Sequence, residues 1–199
     1  MIPRHLLIGV AIMLAVALGM IVYVWQMRGR VEQAESSASS TAPVAPPVSG
    51  PTEQITLYVA YDDPGVIRAQ SARIPLPAGR QQRAQELLRA LLDLYLGPSS
   101  PHPLATGAEV RDVYLVEPGL AVIDTNVNFA DGHRSGVLVE ELTVASLVQT
   151  LAANVPGITR VKILVDGKSR DTLAGHADLS DFYDVSQVNQ MVAQLQSSQ

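Results

Sequence analysis

Four histidines, at positions 5, 102, 133 and 176, are the first side chains to test for chemistry, because imidazole serves both as metal ligand and as general base. None stands four residues from another and no His-Glu-x-x-His pattern occurs, so a helical zinc site lacks its ligand spacing. His133 near Asp131 and His176 near Asp178 could each offer two ligands to a metal, and exposed polar loops account for the same residues equally well. Gly167-Lys168-Ser169 imitates the end of a phosphate-binding loop, but the glycine needed five positions before Gly167 is Lys162. No Gly-x-Ser-x-Gly elbow is present, and the absence of cysteine removes a thiol nucleophile, a thiolate zinc site and disulfides. Asp124, Asp131 and Asp166 could furnish a carboxylate pair for glycoside cleavage, which needs a separation of about 5–9.5 Å. Asp166 is more simply the first residue of a turn, and Asp124 the end of a strand. Glu140 and Glu141 could meet a cation or a partner, although acids near a helix start are expected from the helix dipole. No catalytic, cofactor-binding or metal-ligating residue is assigned, no cofactor is implied, and the chain reads as a non-enzyme.

The element that must position any of these residues is the stretch 140–167. Val144, Leu147, Val148, Leu151 and Val155 recur at helical intervals and predict one core-facing stripe. Pro156-Gly157 stops that helix, and the β-branched run 161–165 follows as a strand closed by Asp166-Gly167. Upstream, residues 55–61 and 66–77 predict two strands around an Asp-Asp-Pro-Gly turn, with Pro75 confining the second to an edge. Ala84, Leu87, Leu88, Leu91, Leu92 and Tyr95 make one face of a helix over 81–96. Residues 109–116 and 120–124 predict a hairpin, 99–107 and 125–135 irregular loops, and 170–173 one short extra strand. Val188, Met191, Val192 and Leu195 allow a terminal helix. The order β-β-α-β-β-α-β predicts an α+β fold: a mixed sheet with two main helices on one face.

The chain of 199 residues has a formal net charge of −5, with no run of Lys and Arg interleaved with aromatics, which argues against nucleic acid as a partner. Residues 6–25 carry no charge over 20 positions and are long enough to span a bilayer. The segment leads into a poor cleavage site, so it predicts an uncleaved anchor in the cytoplasmic membrane, with residues 1–5 inside. Residues 26–52 form a Ser/Ala/Pro-rich linker, 53–184 a folded domain facing the extracytoplasmic side, and 185–199 a tail.

Leu-Gly-Pro at 96–98, Ala-Val-Ile-Asp at 121–124, Thr150-Leu151, the strand and turn at 161–167, and Gly175-His176 occur in an order that resembles the GerMN domain family of sporulation and spore germination. The resemblance spans residues 55–181. It implies an exported, membrane-attached module without established catalysis, similar in fold to the ring-building modules of sporulation and secretion complexes. The family's namesake carries tandem domains and a lipidated cysteine; this sequence has one such domain and a helical anchor. The expected role is a binding or assembly module that engages envelope proteins or its own copies. The alternative is a peptidoglycan or small-ligand site lined by 99–107 and 125–135, and the least favoured is a cell-wall hydrolase.

Overall fold

The computed structural model describes residues 50–116 and 118–197; the predicted anchor over 6–25 and most of the linker lie outside the described residues. Two antiparallel strands, β1 (Thr52–Tyr61) and β2 (Val66–Pro75), form a hairpin that is a sheet of its own. Helix α1 (Arg80–Leu96) follows. The strands β3 (Val110–Val116) and β4 (Leu120–Thr125) pair antiparallel, and the short helix α2 (Val127–Asp131) leads to α3 (Val137–Asn154). β5 (Arg160–Val165) pairs parallel to β4, β6 (Tyr183–Asp184) closes the edge, and α4 (Val185–Ser197) ends the described chain.

The α+β class and the mixed strand directions agree with expectation. The single sheet does not: the strands divide into a two-stranded and a four-stranded sheet, β3-β4-β5-β6. The physical reason is α3, which lies along β1 where another strand would sit. Asn154 accepts from Thr56 N through Oδ1 at 3.0 Å and donates to Thr56 O at 2.7 Å. Thr150 Oγ1 accepts from Tyr58 N at 3.0 Å, and Tyr95 Oη accepts from Ala60 N at 2.8 Å. Side chains thus satisfy backbone groups that a sheet neighbour would otherwise take. Burial pushes the Tyr95 hydroxyl up to about 12, so it stays protonated in this role. Asn154→Ala removes both bonds at Thr56 and should cost about 1–3 kcal/mol, read as a lower midpoint in urea unfolding; no change would contradict this role.

The predicted single stripe on α3 also needs correction. Residues 142–151 are buried on all sides, polar ones included, which makes α3 the central helix and not a surface one. The core gathers Leu87, Leu88 and Leu91 of α1, Ile123 of β4, Leu147 and Leu151 of α3, and Ile163 of β5. Val188 and Val192 of α4 join it. Segment 170–173 makes only an isolated bridge, Thr172 with Asp178, so the extra strand falls instead at β6. Within the predicted loop 125–135, Asn126 caps α2 by accepting from Phe129 N at 3.0 Å.

Candidate functional site

Each sequence-selected residue within the described range has a definite place, and most are occupied by architecture; His5 lies outside the described residues. Asp124 Oδ1 accepts from Gly167 N at 2.7 Å, Asp166 pairs with Arg111 at 2.8 Å, and Asp131 pairs with Arg170 at 2.5 Å. The three carboxylates are therefore committed to three different partners. His133 is buried while its neighbour Asp131 points to Arg170, and Asp178 accepts from Ser180 N and Oγ at 2.7 and 2.6 Å. Neither His–Asp pair converges, and the described residues hold no group of three His, Asp or Glu suited to a metal. Gly167-Lys168 belongs to a tight turn in which Lys168 N donates to Val165 O at 3.0 Å.

Glu140 is not the ordinary helix-start acid it resembles in sequence. It is fully buried, and its carboxylate is the hub of segment 174–177. Oε2 accepts from Ala174 N at 3.0 Å, His176 N at 2.9 Å and Ala177 N at 2.9 Å. Oε1 accepts from Gly136 N at 3.1 Å, which caps α3, and lies 2.9 Å from His176 Nδ1. Gly175, at φ +119°, lets the backbone turn its N–H groups inward. Burial alone would raise the carboxyl, but the Ala174 amide, the His176 ring and the Gly136 and Ala177 amides outweigh it and hold it at about 2.

His102 and His133 are buried as well, not exposed loop residues as the sequence allowed. His102 Nδ1 lies 2.6 Å from Asp62 Oδ1 and its Nε2 2.6 Å from Thr143 Oγ1. His133 Nε2 reaches the same hydroxyl at 2.7 Å, and its Nδ1 lies 2.8 Å from Arg134 O. Asp62 also receives Arg134. The carboxylate and the carbonyl can only accept, so both rings carry the proton on Nδ1 when neutral, and both Nε2 atoms compete with Val139 O for the one Thr143 proton. Burial lowers the pKa of both rings, with Asp62 opposing it at His102 and the Arg134 carbonyl at His133.

Asp62, His102 and Thr143 thus repeat the acid–base–nucleophile order of a hydrolytic triad. The surroundings do not suit attack. Thr143 is fully buried within α3, its Oγ also lies 3.0 Å from Val139 O as a donor, and it lines neither described cavity. The chain is a structural strut that ties the β1–β2 turn, loop 99–107 and the α2–α3 junction to the central helix.

A concave surface lies elsewhere. A cleft of about 470 Å³ runs between α4, α3 and segment 176–184. Its wall carries Glu141, Asp178, Asp181 and Asp184, with the aromatic rings of Phe182 and Tyr183 and the apolar side chains of Val144, Val188 and Met191. Phe182 is 46% exposed, while Arg160 and Lys162 lie 5.4 and 5.8 Å from its ring centroid. Burial, with the nearby negative charges of Asp178, Glu141 and Glu140, pushes the Tyr183 hydroxyl up to about 12, and it donates to Asp178 O. The cleft therefore presents fixed negative charge beside exposed ring surface. The predicted lining, loops 99–107 and 125–135, takes no part in it. Those loops carry the buried His102 and His133. The sequence signal for the cleft was weak: four acids scattered over 141–184 become neighbours only when β6 docks on β5.

Residues 56–171 match the family described as Germane, sporulation and spore germination. The chain belongs to the Germane family. Two solved structures are similar to it. The tandem GerMN domains of the sporulation protein GerM from Bacillus subtilis are 20% identical, with a TM-score of 0.52 over 69% of this chain and 48% of that one. The first GerMN domain of the same protein is 20% identical, with a TM-score of 0.48 over 68% of this chain and 99% of that one. This chain thus spans about half the length of the tandem protein. No curated protein sequence matches it. The Germane match ends at Asp171, so most of the cleft, from His176 through α4, lies beyond the matched residues.

Proposed function

We propose that this Germane domain is a non-catalytic binding or assembly module of the bacterial cell envelope. It is held at the cytoplasmic membrane by residues 6–25 and faces the extracytoplasmic side. Its partners are envelope proteins or further copies of the chain. The observation that carries this reading is the contrast between two sets of polar groups. The buried set of Glu140, His102, His133 and Thr143, with half-buried Asp62, is committed to holding the fold. The cleft at 176–191 leaves acids and aromatic surface facing solvent. A basic segment of a partner protein, or an amine-bearing envelope ligand such as a wall peptide, has the charge to fill it. The small-ligand version is favoured specifically by the volume of about 470 Å³, within the usual range for such sites.

Cross-linking in intact envelopes, followed by purification of the anchored chain, tests the reading. It predicts defined protein partners whose capture weakens with salt. Recovery of an unpartnered monomer, with no retention on purified cell wall, would contradict it. Within that experiment, Glu141→Gln combined with Asp184→Asn should lower capture about threefold to thirtyfold, as expected for losing two partly exposed charge contacts. Unchanged capture would remove the cleft from the account.

A further inference from the structure

The β1–β2 hairpin has two long edges, and the chain treats them oppositely. On the β1 edge the backbone groups of Thr56, Tyr58 and Ala60 are stoppered by Asn154, Thr150 and Tyr95. These even-numbered residues therefore point away from β2, and Ile55, Leu57 and Val59 point toward it. The register sets those three opposite Ala72, Gln70 and Arg68. It follows that Ile67, Ala69, Ser71, Arg73 and Pro75 direct their backbone groups to the outer edge of β2. Gln196 Nε2 donating to Ile67 O at 2.9 Å agrees with that parity. Among the described residues no strand pairs with this edge and no side chain stoppers Ala69, Ser71 or Arg73, all three of which are exposed. The hairpin ladder runs ten residues without a bulge, so nothing twists the edge out of reach.

We propose that the outer edge of β2 pairs antiparallel with the same strand of a second copy, giving a continuous β1-β2-β2-β1 sheet across a twofold axis. This rests on the binding-or-assembly reading above and names the surface for self-association. The register follows from the backbone. A twofold axis perpendicular to the sheet keeps each side chain on its own face, so opposed residues must share parity. With Ser71 opposite Ser71 of the second copy, Ala69 faces Arg73 and Ile67 faces Pro75. Proline has no N–H to give, and the carbonyl it would have served, Ile67 O, is already taken by Gln196. The donor that is missing and the acceptor that is occupied fall in the same pair. Sliding two residues either way sets Ala69 against Pro75 or Ile67 against Arg73, and either leaves an outer group unmet. In the chosen register Arg68 faces Ile74 and Arg73 faces Ala69, so no like charges are directly opposed. Arg68 is moreover held over its own Tyr61 ring at 4.8 Å.

The chain contains no cysteine, so single cysteines report cleanly. The full-length protein in its membrane is treated with a short bis-maleimide. Ser71→Cys should shift from monomer to covalent dimer, because each Ser71 lies opposite its own copy. Ala69→Cys and Arg73→Cys should each stay monomeric alone, since the two copies of either residue are offset by four residues, about 14 Å. An equal mixture of the two variants co-expressed should cross-link. Monomeric Ser71→Cys, or equal cross-linking by all three variants and by Lys168→Cys on the distant turn, would overturn the proposal. If the chain is monomeric yet still captures envelope proteins, only self-pairing fails; if it captures none, the module reading fails with it.

Discussion

Glu140→Ala should be the most damaging single substitution in the domain, lowering stability by roughly 3–5 kcal/mol. The loss is not one bond. The backbone amides of Gly136, Ala174, His176 and Ala177 all donate to this carboxylate, and removal leaves them inside the protein with no acceptor. Each unsatisfied buried donor costs about 1–3 kcal/mol, reduced wherever relaxation admits water. Glu140→Gln keeps the shape and one acceptor oxygen and should cost about half as much. Glu141→Ala, one residue away on the cleft wall, should cost under about 0.5 kcal/mol. Urea unfolding midpoints of the three variants give the comparison; similar values for Glu140→Ala and Glu141→Ala would sink the hub assignment. The acid limb has a definite sign. The Glu140 carboxyl sits at about 2 in the folded protein against 4.5 for its ordinary value, so its contribution is complete above pH 4.5 and lost as pH falls toward 2. The size is on the order of 3 kcal/mol. His102 and His133, lowered by burial, add a loss that begins higher: unfolded rings protonate near pH 6.5 while the folded ones resist. Glu140→Gln should erase the lower step and leave the upper one.

Thr143→Val should cost about 1–3 kcal/mol although it conserves volume. The hydroxyl lies 2.6 Å from His102 Nε2, 2.7 Å from His133 Nε2 and 3.0 Å from Val139 O. The one hydroxyl proton serves a single acceptor at a time, so valine removes one shared bond and leaves the ring nitrogens facing apolar neighbours, Tyr95 edge-on to His102 and Phe129 beside His133. Thr143→Ser retains the oxygen and should lose less than about 1 kcal/mol, chiefly the methyl packing. Thermal unfolding separates the two variants; a valine variant as stable as wild type would show that the hydroxyl is idle. Were Thr143 instead a nucleophile, the serine variant would keep a hydrolytic activity and the valine variant would abolish one. The buried setting predicts none in either.

What the sequence revealed follows from how local each cause is. The helical spacing of Ala84, Leu87, Leu88, Leu91, Leu92 and Tyr95 marked α1 to within one residue, because one apolar face against one core leaves a periodic trace. The run at 161–165 marked β5 through its β-branched, mostly apolar residues. The central position of α3 was harder to see, since a helix buried on every side has no polar face to contrast with. Its real signature was polar: Thr143, Thr150 and Asn154 recur at helical intervals and meet the histidines or β1. The division into two sheets was invisible, because side-chain stoppering of β1 depends on the distant Thr150 and Asn154. His102 looked like loop decoration because its partners Asp62 and Thr143 are each about forty residues away in sequence. The cleft needed β6, a strand of two residues, too short for any periodicity.

The central claim is that the buried polar groups hold the fold while the acidic, aromatic cleft engages partners. It is tested most directly by measuring how much envelope protein the anchored full-length chain retains in three forms: wild type, Thr143→Val, and Glu141→Gln with Asp184→Asn. The account predicts that, below its unfolding temperature, Thr143→Val retains as much as wild type. The cleft variant should retain several-fold less at unchanged stability. Full retention by the cleft variant, with loss confined to folded Thr143→Val, would contradict it.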